Sequence, residues 1–513
     1  MKIKRVLISV TDKTGLVDFA STLTKSGAEI FSTGGTLKVL REAGISAKSI
    51  SDVTGFPEIL DGRVKTLHPA IFAGILARKN VPAHIEQLKK LNLSLFDLVV
   101  VNLYQFEKTV ASGADLEDAI ENIDIGGPSL IRAAAKNFEN TAVVVDPSQY
   151  DSVESEVINN GELSAESMRK LAARAFEKVA EYDVAIANFF KEKFLSETRN
   201  PVSLPGNSFL FAEHKTMEMR YGENPHQAAG FYGNFEKSFQ KLHGKELSYN
   251  NLVDVDAAQR LLQEFDEPAA IIIKHTNPCG AATGNDIHEA YVKALKTDSK
   301  SAFGGIVAVN RKIEIELADL LNQIFLEVIL APGFSDQALE ILKRKKDRRL
   351  ILHRKKLPND FQIRSSCGGV LVQTADNIVL NENDLKVATN RTPTERELND
   401  LRFAYKVCKH VKSNAIVFVK NGMTLGTGAG QMSRVDSVKI ARAKADEAGL
   451  DLRGSCVASD AYFPFSDNVD EIAKAGASTI IQPGGSVRDP DSIEAANRLN
   501  ISMVFTGIRH FKH

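Results

Sequence analysis

The chain has 513 residues, with 64 Lys and Arg against 65 Asp and Glu, a formal net charge of -1 and 43% hydrophobic residues. That length exceeds what one ordinary core organises, so two or more domains are expected; the balanced charge offers no basic field to a nucleic-acid backbone, so any phosphate must be gripped locally. Four scattered cysteines, Cys279, Cys367, Cys408 and Cys456, form no CxxC, which argues against a disulfide framework or structural zinc and fits a reducing cytoplasm.

Residues 1–10 carry positive charge but too short an apolar run for a signal peptide, and read as a first strand; nothing later reaches membrane-spanning length. Thr11-Asp12 offers N-cap chemistry for a helix to about residue 27. A strand at 28–31, the turn Ser32-Thr-Gly-Gly-Thr36 and a helix over 37–43 follow. Strand, glycine turn and helix N-terminus together make an anion cradle, although an ordinary connection has the same letters. The loop 54–69 is rich in Gly and Pro and holds Arg63, Lys65, Thr66 and His68, polar groups that suit a charged nucleotide.

The strand 97–101 leads into Asn102-Leu-Tyr104, placing an amide and a phenol at a strand's C-terminal end, where ligands sit in open α/β sheets. Asp124-Ile-Gly-Gly-Pro128 starts a helix whose Gly126 and Gly127 N–H groups could face a developing oxyanion. On that helix Arg132 and Lys136 share a face. Lys136 lies roughly 12 Å beyond Pro128 along the axis, so it reaches a pocket at the helix start only if the helix passes side-on. A strand at 141–145 and a helix over 165–195 complete a βαβ series with a mainly parallel sheet.

The polar, proline-containing stretch after residue 196 reads as a linker, giving domains 1–196 and 209–513 joined by 197–208. Beyond it, Ala269-Ala-Ile-Ile-Ile-Lys-His-Thr-Asn-Pro-Cys-Gly280 is a buried-type strand opening into a turn, with Lys274 and His275 at the opening. In a cleft, the ammonium would favour a neutral imidazole, the form a general base needs; the alternative is a Lys and a His that mark where a strand meets water. Residues 301–309 read as a turn feeding a strand, and the basic run 343–356 as a solvated surface. Val411-Lys-Ser-Asn414 enters a strand. Gly426-Thr-Gly-Ala-Gly-Gln-Met-Ser-Arg434 is a loop before a helix over 435–448, and Gln431 at its third glycine position departs from a dinucleotide fingerprint. Residues 459–468, 482–486 and 506–511 are polar–aromatic strand ends. No internal repeat is visible in the letters.

These segments resemble, in order and over nearly the whole chain, the bifunctional family that combines AICAR formyltransferase with IMP cyclohydrolase: Ser9-Val-Thr-Asp-Lys-Thr-Gly15, Ser32-Thr-Gly-Gly-Thr36, Gly62-Arg-Val-Lys-Thr-Leu-His-Pro69, Asp124-Ile-Gly-Gly127, Arg132-Ala-Ala-Ala-Lys-Asn137, Arg220-Tyr-Gly-Glu-Asn-Pro-His-Gln227, Lys274-His-Thr-Asn-Pro-Cys-Gly280, Ser301-Ala-Phe-Gly304, residues 459–468 and Arg509. The resemblance implies an α/β protein with a methylglyoxal-synthase-like (Rossmann-like) N-terminal domain that closes the purine ring. It also implies a cytidine-deaminase-like C-terminal domain of two subdomains that transfers a formyl group. It further implies a cytoplasmic homodimer with shared formyltransferase sites, 10-formyltetrahydrofolate as donor, no catalytic metal, and no nucleic-acid or membrane partner; the substrates would be AICAR, FAICAR, IMP and folate.

By the same resemblance His275 is the base of formyl transfer, Lys274 stabilises the transferring oxygen and Asn414 orients the carboxamide. Arg220, Tyr221, Gly304, Glu327, Tyr462 and Arg509 would line the AICAR site, and Arg434, Val435, Asp467, Ser486 and Val487 the folate site. Lys136 would be the acid/base of ring closure, with Lys65, Tyr104 and Asp124 assisting. Thr11, Asp12, Lys13, Ser32, Thr33, Gly34, Gly35, Arg63, Val64, Lys65, Thr66, Asn102, Leu103, Asp124, Ile125, Gly126 and Gly127 would hold the nucleotide. Phe138 departs from a family histidine. Two other classes stand beside this one. A zinc nucleobase deaminase needs H-x-E and P-C-x-x-C, but His84-Ile-Glu86 lies on a polar helix of the other domain and Pro278-Cys279 lacks the second cysteine. A nucleotide-sensing regulator would leave Lys136 and Lys274-His275 without work.

Overall fold

The computed structural model describes residues 1–57, 59–60, 64–195, 208–357 and 361–513, in two compact units, Met1–Glu213 and His214–His513. The expected linker lies outside the described residues except for Ser208, as does Arg63.

In the N-terminal unit five parallel strands run in the spatial order Ala47–Ser49, Glu29–Ser32, Arg5–Val10, Leu98–Asn102, Ala142–Val144. Their near-continuous Val, Leu and Ile runs are buried on both faces, as helices on each side of a parallel sheet require. The long helix Ala165–Leu195 covers one face with Ala172, Ala175, Val179, Tyr182 and Phe189. The strand order reverses between Arg5–Val10 and Leu98–Asn102, and the crevice beyond their C-terminal ends is the ligand position such a sheet provides.

Two expectations shift here. Thr11-Asp12 caps nothing: the first helix begins at Leu16 behind Gly15, which takes φ 66, while Asp12 Oδ1 accepts from the Thr14 N–H and hydroxyl. The second helix, Gly34–Glu42, starts three residues earlier than expected, so the glycines form its first turn.

The C-terminal unit is built on one mixed twelve-stranded sheet that contains the same topology twice. In each half a helix precedes a two-residue hairpin, a second helix lies on that hairpin, and three further strands follow. The first half has helix Tyr249–Leu262, strands Ala269–Lys274 and Asn277–Thr283, helix Ile287–Thr297, then strands Ile306–Val309, Val328–Ala331 and Arg349–His353. The second has helix Glu395–Lys409, strands Ile416–Lys420 and Met423–Gly428, helix Arg434–Glu447, then strands Cys456–Ser459, Thr479–Gln482 and Ser502–Phe505. The hairpins meet antiparallel at the centre, Ala282 opposite Met423. Helix and hairpin approach so closely that a Cβ on Gly280 would lie 2.1 Å from Ala294 O, and one on Gly426 2.1 Å from Ala441 O. Glycine is required at both places.

Three further expectations are corrected. Asn277-Pro-Cys-Gly280 is not a turn but the start of a strand; Pro278, which has no N–H, sits at a register shift where the ladder is interrupted. Residues 426–428, expected in a loop, end the strand Met423–Gly428. The basic run 343–356 is not wholly solvated: Arg349–His353 is a strand and Arg348 is buried, its guanidinium donating to Asn322 Oδ1 at 3.1 Å and Ile324 O at 3.3 Å beyond a helix C-terminus, where the helix dipole favours a cation.

Candidate active sites

At the switch point of the parallel sheet lies a cavity of about 600 Å³ lined by Thr11, Lys13, Thr33, Gly34, Gly35, Lys65, Thr66, Asn102, Tyr104, Asp124, Ile125, Gly126 and Gly127, with Ser9, Thr36 and Glu121. Two helices, Gly34–Glu42 and Gly126–Lys136, point their N-termini into it; the first has no side-chain cap, and the second is met by the Asp124 carboxylate. The first-turn N–H groups of Gly34–Glu42 and the Lys13 and Lys65 ammonium groups suit an anionic ligand.

Several of the residues singled out in the sequence act on the protein itself. Asn102 Oδ1 accepts from the Thr11 and Asp12 N–H groups at 2.6 and 2.9 Å, and its Nδ2 donates to Asp12 O at 2.8 Å, so it clamps the loop that carries Thr11 and Lys13. The Ser32 hydroxyl is buried and donates to Ile8 O at 2.7 Å, tying two strands. Leu103 is core. Val64 forms an isolated bridge with Ile59, and His68 caps the next helix by accepting from the Ala70 N–H at 3.2 Å.

Gly127 does not offer its N–H to the cavity: it donates to Asp124 Oδ1 at 2.7 Å. A Cβ at Gly127 would lie 2.4 Å from Asp124 Oδ2 and 2.7 Å from Leu103 Cδ2, so only glycine leaves room for the carboxylate. Burial raises the Asp124 carboxyl above its ordinary value, against the pull of the Gly127 and Tyr104 N–H groups and the Lys65 ammonium. A carboxyl so placed can hold or release a proton nearer neutrality than a surface aspartate. Tyr182, from the long helix, was not singled out in the sequence; its hydroxyl accepts the Asp124 N–H at 2.8 Å. Lys136 is exposed at the last position of its helix and is not among the cavity's lining residues.

In the C-terminal unit the residues singled out fall into separate groups. Lys274 and His275 line a cavity of about 240 Å³ with Cys279, Asp298, Ser301 and Lys444. Lys274 Nζ donates to Phe303 O at 3.1 Å and Gly304 O at 3.0 Å; Gly304 has φ 68. Burial pushes the Cys279 thiol up to about 12, which leaves it a packing residue rather than a nucleophile. Glu327 accepts from Asn251 Nδ2 at 2.8 Å and lies 3.7 Å from Arg349.

A second cavity, of about 370 Å³, is lined by Asn414, Arg434, Val435, Tyr462, Asp467 and Arg509, with Met432, Phe465 and Phe511 on its exposed apolar rim. The Arg434 guanidinium is buried here, bonded to Asp460, to Ser459 Oγ at 3.0 Å and to Asn414 Oδ1 at 2.7 Å. Asn414 Nδ2 in turn donates to Gln431 O at 2.9 Å and Met432 O at 3.2 Å. The Asn414 amide is therefore fixed with both protons used, and what it still offers a ligand is the remaining acceptor capacity of Oδ1. Asp460, fully buried, anchors this network and also binds the Ala415 N–H at 3.1 Å; it lies inside the quoted segment 459–468, but nothing in the letters marks it as the anchor. Arg220 and Tyr221, with the Arg220 guanidinium 5.8 Å from the Tyr221 ring centre, line neither cavity, nor do Ser486 and Val487. His84 of the H-x-E match accepts from the Arg78 N–H at 3.1 Å, and Glu86 pairs with Lys90.

Each of the two α/β units carries cavities lined by titratable side chains, as an enzyme of two sites requires. The AICARFT/IMPCHase bienzyme family model matches residues 134–444, and the MGS-like domain model residues 15–129. The bifunctional purine biosynthesis protein PurH of Chlorobium chlorochromatii is 52% identical over 524 residues, covering 100% of this chain and 99% of the relative. The protein of that name from Bacillus cytotoxicus is 50% identical over 519 residues, covering 99% and 100%. A solved structure titled "Crystal structure of ForH" is 31% identical and covers 37% of this chain and 98% of its own, with a TM-score of 0.34, too low to bear on the fold. The chain belongs to the AICARFT/IMPCHase bienzyme family, and it pairs an AICAR formyltransferase with an IMP cyclohydrolase.

Proposed function

We propose that the N-terminal cavity closes the purine ring and that the Lys274-His275 hairpin transfers the formyl group. The observation that carries the first half is the cavity itself: the uncapped start of helix Gly34–Glu42 and two lysines for a nucleotide phosphate at one end of a sheet, with a half-buried carboxyl of raised pKa beside them. In ring closure the carboxamide nitrogen attacks the formamide carbon, a C–N bond forms, and the former formyl oxygen leaves as water. In this reading Asp124 and Lys65 move those protons, and Tyr104, which also lines the cavity, donates to the departing oxygen. In this reading Lys136 acts only if it enters from outside this cavity.

In formyl transfer the AICAR amine attacks the formyl carbon of 10-formyltetrahydrofolate; His275 takes the amine proton, the bond from that carbon to N10 breaks, and N10 gains a proton. Lys274 stabilises the oxyanion. The apolar rim formed by Met432, Phe465 and Phe511 suits the flat pterin and aminobenzoyl rings, and Val435 and Asp467 lie beside it. In this assignment Arg434 serves the folate side by fixing Asn414 rather than by direct contact. The division of the candidate residues between two cavities, with Arg220 and Tyr221 apart from both, favours a homodimer in which two copies complete each formyltransferase site. With four unpaired cysteines, two of them buried, a reducing cytoplasm suits the chain.

Incubation with AICAR and 10-formyltetrahydrofolate, followed by IMP absorbance, tests the whole reading. His275→Ala is expected to lower formyl transfer by about 100-fold or more while FAICAR is still closed at the wild-type rate. Loss of both activities in a folded variant would overturn the assignment to two sites.

A further inference from the structure

The two hairpins of the C-terminal unit are built to one plan with different letters. Each turn has two residues, and both residues in each have positive φ: His275 at 50 and Thr276 at 64, Asn421 at 54 and Gly422 at 64. Such a turn selects Asn-Gly, which the second hairpin has. His-Thr is a poor choice, and the β-branched Thr276 is the worse of the two. A strained turn persists only where its surroundings over-determine it, and such turns gather where chemistry is done.

The surroundings are on the preceding helix of each half. Asp254, on helix Tyr249–Leu262, accepts the Thr276 N–H at Oδ1, 2.6 Å, and the His275 N–H lies against the same carboxylate. Asp400, on helix Glu395–Lys409, accepts the Asn421 N–H at 2.9 Å and the Gly422 N–H at 2.8 Å. In each half the clamped second turn residue follows its aspartate by 22 positions. The His275 carbonyl is held as well, by the Thr276 hydroxyl at 2.6 Å and by Asn277 Nδ2 at 3.1 Å, while Asn277 Oδ1 accepts the Lys412 N–H at 2.9 Å. The backbone that carries the imidazole therefore has its polar groups tied to a helix, to its own neighbour and to the segment before Asn414.

We infer that Asp254 is a positioning residue for formyl transfer: its carboxylate holds the His275–Thr276 turn in a left-handed conformation its residues disfavour, and so fixes where the His275 imidazole stands. Asp400 is the same device under a turn that needs little help and carries no chemistry, which makes it an internal control. The inference rests on His275 being the base.

The test compares Asp254→Ala, Asp254→Asn, Asp400→Ala and the double variant Asp254→Ala/Thr276→Gly in full-length protein, with folding checked by circular dichroism and by FAICAR closure. Asp254→Ala is expected to lower formyl-transfer kcat by about 100-fold, the scale of a misplaced reacting group, with the KM for AICAR within about threefold. Asp254→Asn, which keeps an acceptor for the turn, should retain most of the rate. Asp400→Ala should leave formyl-transfer kcat within about twofold while lowering thermal stability. Thr276→Gly should restore at least about tenfold to Asp254→Ala, because glycine takes φ 64 without a clamp. Equal loss in Asp400→Ala and Asp254→Ala would reduce the carboxylate to a structural cap and overturn the inference, as would failure of Thr276→Gly to restore activity. Loss in Asp254→Asn equal to that in Asp254→Ala, with a displaced pH profile, would overturn it in favour of a charge effect on the imidazole. If His275→Ala kept formyl transfer, the underlying assignment would fail; if His275→Ala lost it and Asp254→Ala did not, the inference alone would fail.

Discussion

In the N-terminal unit a single cavity at one sheet end collects nucleotide-gripping and proton-moving candidates from the loops after three strands and from two helix starts. In the C-terminal unit the candidates are divided between the His275 cavity, the Asn414 cavity and the Arg220–Tyr221 pair. The difference follows from architecture. A parallel sheet with one switch point sends its loops to one place, whereas a sheet made of two antiparallel-related halves sends chemistry-bearing loops to several.

The sharpest way to break that comparison is Gly127→Ala. The added methyl would collide with the Asp124 carboxylate and Leu103, and ring closure should fall by about 100-fold or more with formyl transfer retained. An unchanged closure rate would remove Asp124 from the reaction. A less drastic pair sharpens the question of what belongs to the cavity. Lys65→Ala should lower FAICAR closure by at least about tenfold, more than Lys136→Ala, since Lys65 lines the cavity and Lys136 does not. The reverse order would mean that the cavity is completed by a lysine from elsewhere in the assembled enzyme.

The smallest expected effect is in pH dependence, where the Glu264–His410 pair and Asp124 should contribute with opposite sign. In the C-terminal unit burial depresses His410 from 6.5 to about 4. Burial alone would raise Glu264, but His410 and Lys409, each 2.9 Å away, outweigh it and hold Glu264 at about 2 rather than 4.5. Both groups bind fewer protons folded than unfolded. Their contribution is present at neutral pH and is lost as pH falls, through 6.5 to about 4 for His410 and from 4.5 toward 2 for Glu264. Asp124 runs the other way: its folded value is raised, so its contribution is lost as pH climbs out of the carboxylate range. Hydrogen exchange should show protection around Glu264 and His410 falling on acidification. Asp124→Asn should leave peptides of the N-terminal unit slightly better protected at neutral pH, while lowering ring closure. Unchanged protection around Glu264 and His410 on acidification would remove that pair from the comparison.

How far the letters reached can be seen residue by residue. Apolar β-branched runs marked the strands of both units, because burial on two faces leaves little choice of side chain. The strand Asn277–Thr283 was hidden by Pro278 and Gly280, which look like a turn and are instead a register shift and a helix contact. The duplicated topology of the C-terminal unit was invisible because the halves share positions for aspartate, turn and glycine rather than any readable run of sequence. In the candidate sites residue types were legible and partners were not. Asn102, Ser32, Arg434 and the Gly127 N–H look like ligand contacts in the sequence, yet in the fold each is bound to a neighbouring group of the protein.

The Tyr182 hydroxyl has a consequence for how the ring-closing half could be isolated. The MGS-like match ends at residue 129, yet the turn that carries Asp124 is pegged by a phenol more than fifty positions later, on a helix whose Ala172, Val179 and Phe189 also roof the sheet. A fragment cut where that match ends would leave the turn untethered and the roof missing. An excised module that keeps its shape has to run through Leu195.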